Sequence, residues 1–301
     1  MAAGNTPENR SSQYTLQNDE SSTSAARSYD DQGPAVKEEP LVVERVPWSV
    51  IAQEFTEIWG RHDPQDPQPE HTEVIGINGS GKTLWMCKAV QERMLSRHTA
   101  CIILQSKPAD ETIMQLGWPI VTNGDVKRAL KERWCVYWPL TNATGNERKR
   151  YQADMFKRLL DALWRPNANT IVVLDDVGYI QGLHTSRGEP LNPDIEMYLR
   201  EGRSSGITCL LVKQRPQGAK REMHSETYWT IAFAPKDEDD QERFAQLFGN
   251  RKQFQPIFAQ MNSEKHEFLI KYHRSGLAVI SWIDTPLRPL ARPKPNVKSR
   301  S

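Results

Sequence analysis

The stretch "EVIGINGSGKT", Glu73 to Thr83, decides the fold. It runs a short apolar strand into glycine, makes a turn of small residues, and places Lys82 and Thr83 at the head of a helical pattern. Residues 76–83 fit G-x-x-x-x-G-K-[ST], after a strand and before a helix, which is the setting the pattern requires. Gly76, Gly79 and Gly81 let the backbone curl, so that its N–H groups, those of Asn78 and Ser80 included, point at phosphate oxygens. The following helix adds its positive end. Lys82 reaches the outer phosphates and Thr83 offers a hydroxyl to magnesium. This stretch predicts a phosphate-binding (Walker A) loop with Gly76, Asn78, Gly79, Ser80, Gly81, Lys82 and Thr83 as its binding residues.

Around the loop, apolar strands alternate with helices. "ACIILQS" (100–106), "RWCVYWPL" (133–140), "TIVVLDD" (170–176), "ITCLLVK" (207–213) and "YWTIAFA" (228–234) read as strands. Helical periodicity covers 82–96, 147–164 and 193–203. Near-continuous apolar strands separated by helices predict an α/β domain with a mainly parallel central sheet covered on both faces. "FLIKYHRSGLAVISWI" (268–283) predicts a C-terminal β-hairpin turning at Ser275-Gly276. Before the domain, "PWSVIAQEFTEIWG" (47–60) repeats Val50, Ile51, Phe55, Ile58 and Trp59 at helical spacing. That helix is expected to pack on the domain or on a neighbouring subunit.

The strand "IVVLDD" ends in two acids. A phosphate loop is completed by an acid at the end of a buried strand: Asp175 is the expected magnesium ligand, with Thr83, and Asp176 the group that polarises the attacking water. A second stretch, "REGRSSGITCLLVKQRP" (200–216), sets Arg200 and Arg203 before a buried strand and Gln214 after it. If that strand neighbours the acid strand, Gln214 comes close to the γ-phosphate, where a neutral amide orients water without cancelling the metal charge. The arginines then lie a strand's length away and reach only a nucleotide held by another subunit. Favourable contact with a helix dipole is the plainer reading of the arginine pair.

Phosphate loop, "IVVLDD" and "REGRSSGI…KQRP" together resemble the FtsK–HerA superfamily of DNA-pumping ATPases. The resemblance spans residues 70 to 250, and "YWTIAFAPKDEDD…LFG" is similar in kind to that family's next strand and helix. It implies a RecA-like P-loop NTPase fold, ATP and magnesium as cofactors, and a hexameric ring that drives DNA through its centre. In that frame Lys82, Asp176 and Gln214 act in their own site and Arg203 acts in trans. The chain departs from the family in its Asp-Asp acid pair, where Asp-Glu is more usual, and in Lys213, where Thr is common. It also lacks a recognisable winged helix. Compact size makes it look most like a viral genome-packaging ATPase, with a capsid or portal as a partner and host cytoplasm or virion as its location. A DNA-transfer or DNA-end-processing ATPase and a nucleotide-dependent assembly switch are the alternatives.

The remaining chain bounds these expectations. Net charge is +1, so no bulk charge excess demands nucleic acid, and local cations must supply any DNA contact. The loops 178–190, with His184 and Arg187, and 215–224, with Arg215, Lys220 and Arg221, are the candidates. "ERKRYQ" (147–152) reads as a solvated face, and Lys107 and Asp110 as shaping either the nucleotide or the DNA side. The four cysteines, Cys87, Cys101, Cys135 and Cys209, show no C-x-x-C spacing and read as reduced core residues of a cytoplasmic protein. No apolar run has the length of a membrane span. The expected organisation is a disordered tail at 1–40, a helix and Pro-rich linker at 46–69, the P-loop domain at 70–284, and a basic Pro-rich tail at 285–301.

Overall fold

A computed structural model describes residues 41–59, 70–96, 99–214 and 224–288. The expected N-terminal tail, the linker after residue 59, most of the 215–224 loop and the tail beyond residue 288 lie outside the described residues.

The strands are β1 (Glu44–Arg45), β2 (Thr72–Ile75), β3 (Ala100–Leu104), β4 (Ile120–Val121), β5 (Trp134–Tyr137), β6 (Thr170–Asp175), β7 (Ile207–Lys213), β8 (Trp229–Phe233), β9 (Phe268–Tyr272) and β10 (Ala278–Ser281). They form one sheet in the order β1-β10-β9-β8-β2-β7-β6-β3-β5-β4. From β8 through β4 every pairing is parallel, while β9 pairs antiparallel with both β8 and β10. The mainly parallel α/β sheet and the late hairpin are as expected. The hairpin turns where Gly276 takes a φ of +74°, which suits glycine.

Central strands β6 and β7 are buried along their whole length, which explains their unbroken apolar sequences. The principal helices are α1 (Trp48–Trp59), α2 (Lys82–Ser96), α3 (Glu111–Met114), α4 (Val126–Glu132), α5 (Gly145–Leu163), α6 (Val177–Gln181), α7 (Asn192–Glu201), α8 (Glu238–Leu247) and α9 (Arg251–Ala259). On one face α1 and α2 meet the sheet through Trp48, Phe55, Trp85 and Trp229; Phe55 and Trp229 lie edge to face at 4.9 Å. Helices α5 and α7 cover the other face over β3, β6 and β7 through Phe156, Leu159 and Leu199. Helices α8 and α9 cover β9 and β10 through Phe244, Phe248 and Phe258.

Two expectations need correction. Helix α1 packs on its own domain, and its buried face is Trp48, Ala52, Phe55 and Trp59, spaced by four, three and four residues. Val50, placed on the apolar stripe by sequence, is 64% exposed, because the stripe is rotated toward Trp48. The 178–190 stretch is also more ordered than a loop. It begins as α6 and continues as a tight turn, closed by Thr185 N–H on Glu189 O at 2.8 Å and fixed by Ser186 N–H on Asp154 Oδ1 at 2.9 Å.

Candidate active site

The site forms at the carboxyl ends of β2, β7 and β6, where parallel sheets present their ligand-binding edge. Register brings the parts together: Ile75 lies beside Lys213, and Val212 beside Asp175. Gly76, Gln214 and Asp176, each one residue further on, therefore share one end of three adjacent strands.

The phosphate loop follows β2. At Gly76 an added Cβ would lie 2.7 Å from Ser80 Oγ and 2.8 Å from Phe233 Cβ, so only glycine fits. Gly81 has a φ of +99°, a conformation L side chains rarely adopt, and it lets α2 start at Lys82. The Lys82 ammonium turns back onto the loop and donates to Ile77 O at 2.6 Å. Burial lowers its pKa to about 8; neighbouring Lys107 pushes the same way, and Asp175 and Asp176 oppose. Asn78, Gly79, Thr83, Asp176 and Gln214 line one cleft of about 740 Å³ with Lys82.

Asp175 ends β6 fully buried. Desolvation raises its pKa, and Lys107 offsets part of the rise. Lys107 Nζ stands 3.1 Å from Oδ2 and donates to Oδ1 at 3.3 Å. Oδ2 has the ion-pair distance but no hydrogen bond of its own. Asp176 takes φ +68° and ψ +64°, a left-handed conformation that Asp tolerates because its short side chain bonds locally. Its Oδ1 accepts from Tyr179 N–H and so caps α6. Its Oδ2 accepts from Gln214 Nε2 at 2.9 Å.

Arg200 and Arg203 sit at the opposite end of β7. The strand is seven residues long, so they are on the order of 20 Å from Gln214. Arg203 donates to Tyr228 Oη at 2.6 Å and lies over that ring at 4.5 Å. Arg200 is exposed and makes no side-chain hydrogen bond or ion pair among the described residues. Lys82, Lys107 and Lys213 line the cleft, but no described arginine does.

Three contributors were not assigned by sequence. Lys107 was singled out without a role; the β3–β6 pairing brings it to Asp175. Arg148, read as part of a solvated face, donates to Ser106 O at 3.1 Å, beside buried Gln152 donating to the same oxygen. His266 reaches Ser80 O at 3.2 Å from 186 residues away, and no local pattern marks it. The structure places the predicted loop residues, Asp175, Asp176 and Gln214 together and leaves Arg203 outside.

No protein-family model matches the sequence, and no curated protein matches it. Solved structures do match in fold. The genome packaging NTPase B204 from Sulfolobus turreted icosahedral virus 2, in complex with sulfate, superposes with a TM-score of 0.54 at 13% identity, over 73% of this chain and 98% of that one. The chain has a RecA-like α/β fold. The same NTPase in complex with ATP-gammaS gives 0.53 at 12% identity, covering 72% of this chain and 98% of that one. VirB4 of Thermoanaerobacter pseudethanolicus gives 0.54 at 11% identity, covering 76% and 92%. The four cysteines are buried free thiols. Among the described residues no helix is long and apolar enough to cross a membrane.

Proposed function

We propose that this protein is an ATP-hydrolysing DNA translocase that works as a hexameric ring and packages a viral genome. One observation carries the reading: a phosphate loop, Asp176 and Gln214 line the cleft with Asp175 buried beside them, whereas Arg200 and Arg203 stand at the far end of β7. A loose phosphoryl-transfer transition state gains greatly from a guanidinium. In a ring of identical chains, the far end of one β7 can face the cleft of the next.

In this reading Lys82 leaves Ile77 O for the outer phosphates, while backbone N–H groups from Asn78 to Lys82 hold their oxygens. The residues fit magnesium: Asp175 offers a buried oxygen without a hydrogen bond, and Thr83 lines the cleft with Lys107, which pairs with Asp175. Bound there, magnesium neutralises charge developing on the phosphates. Gln214 holds the Asp176 carboxylate in place, and Asp176 takes the proton of the attacking water. Arg203 of one chain serves the site of the next once it leaves Tyr228. Channel contacts with DNA fall to the exposed turn around Arg187 and to the chain after Gln214. A capsid or portal would seat the ring, in host cytoplasm or virion.

The equal likeness to VirB4 supports a second reading, a DNA-transfer ATPase of a mobile element. The test is ATP hydrolysis with and without double-stranded DNA, alongside the oligomer's mass. DNA-stimulated turnover by a ring supports the translocase. Full turnover by monomers, indifferent to DNA, overturns it.

A further inference from the structure

Beneath the cleft lies a set of charged groups that the proposed chemistry does not use. Glu73 on β2 and Lys213 on β7 pair at 2.6 Å, each side chain only 2% exposed. The same carboxylate accepts from Thr230 Oγ1 at 2.8 Å and meets His224 Nδ1 at 2.7 Å. Thr230 in turn touches His273 Nε2 at 2.8 Å. Glu73 thus gathers three other chain segments: the end of β7, the chain at His224, and β8.

The position of this hub matters more than its strength. Gly76, the first residue of the phosphate loop, donates its N–H to Lys213 O at 3.2 Å. Lys213 is therefore tied to β2 twice, by its carbonyl and by its ammonium. Gln214 is the next residue. Stability alone does not account for such a pair, because apolar residues of similar volume serve a buried site as well or better. A directional network does fix one relative placement of the strands it joins, since displaced donors would be left buried and unsatisfied.

We propose that Glu73 is a positioning residue that makes the phosphate loop, the Gln214 end of β7 and the chain at His224 move as one body. What Gln214 meets at the γ-phosphate is thereby passed to His224. This rests on the ATPase reading of the cleft.

The experiment compares the full chain with Glu73→Gln/Lys213→Met, which removes both charges together and leaves no lone buried ion. Each is measured for affinity for a non-hydrolysable ATP analogue, for kcat, and for hydrogen exchange at residues 224–227 with and without the analogue. The expected result is parent-like affinity, kcat lowered roughly tenfold or more, and loss of the analogue-dependent protection at 224–227. His224→Ala, which leaves the ion pair in place, is expected to lose the same protection, and it serves if the double variant fails to fold. Parent-like kcat together with parent-like protection in the folded double variant overturns the proposal; for His224→Ala, retained protection overturns it. An analogue that fails to bind the parent chain overturns the ATPase reading instead, and a parent that binds it and shows no protection at 224–227 overturns the coupling alone.

Discussion

Gln214 and Asp176 are joined by a 2.9 Å hydrogen bond across the adjacent strands β7 and β6. The amide therefore fixes the carboxylate that is proposed to take the proton. Gln214→Ala is expected to leave nucleotide affinity within a few-fold and to lower kcat roughly a hundredfold; Asp176→Asn is expected to lower it at least as much. Steady-state hydrolysis beside equilibrium binding checks the split. A rise in Kd matching the loss in rate would mean that the pair serves binding.

Lys82 gives the free protein a pH signature. With its pKa held at about 8 by burial and Lys107, it loses its charge above that pH unless a triphosphate restores it. Affinity for the non-hydrolysable analogue is therefore expected to be flat below pH 8 and to fall up to about tenfold per pH unit above it. Titration calorimetry from pH 6.5 to 9.5 tests this, and a flat profile counts against it.

Arg203 and Lys82 separate a shared site from a private one. Arg203→Ala is expected to bind nucleotide like the parent and to lose most turnover, by a factor of about a thousand. Mixing it with Lys82→Ala, which supplies an intact arginine but cannot hold nucleotide, is expected to restore part of the rate. No recovery at any mixing ratio would assign Arg203 to contacts within its own chain.

His71 and Glu73 set the acid limit of the fold. Buried His71 accepts from Cys209 N–H at 2.9 Å and contacts Leu199 O at 3.0 Å through its other nitrogen, so the folded ring is neutral. Burial and nearby Arg203 bring its pKa down to about 3 from an ordinary 6.5. The unfolded chain takes up this proton below about pH 6.5 and the folded chain does not. Stability is thus complete above that pH and falls by up to roughly tenfold in the folding equilibrium per pH unit down to about 3. Glu73 is opposed by burial, yet Lys213 and His224 hold its pKa down to about 2 from 4.5. It adds a second loss as pH falls from about 4.5 to about 2. Urea denaturation from pH 7 to 4 tests the first loss and its extension to about pH 2 the second, and His71→Asn is expected to flatten the upper part of the decline.

The phosphate loop was legible because its requirements are local. Glycine, lysine and threonine act through backbone conformation and short side chains within eight residues. Buried strands were legible for the same reason, since a strand covered on both faces must be apolar throughout. Helix α9 was not read, because Pro256 inside it interrupts an otherwise short pattern. Val50 was misplaced because one more aromatic, Trp48, shifts the buried face by part of a turn.

The sequence by itself determined that a glycine-rich loop, an acid pair and a Gln-bearing strand belong to one mainly parallel α/β sheet. The tertiary structure decided which of these touch. Strand order set β7 between β2 and β6, closed Gln214 onto Asp176, brought Lys107 to Asp175, and left the arginines at the other end. Those two contacts join residues 38 and 68 positions apart. Distance along the chain carries no trace of them, because pairing between strands is settled by the packing of the whole sheet.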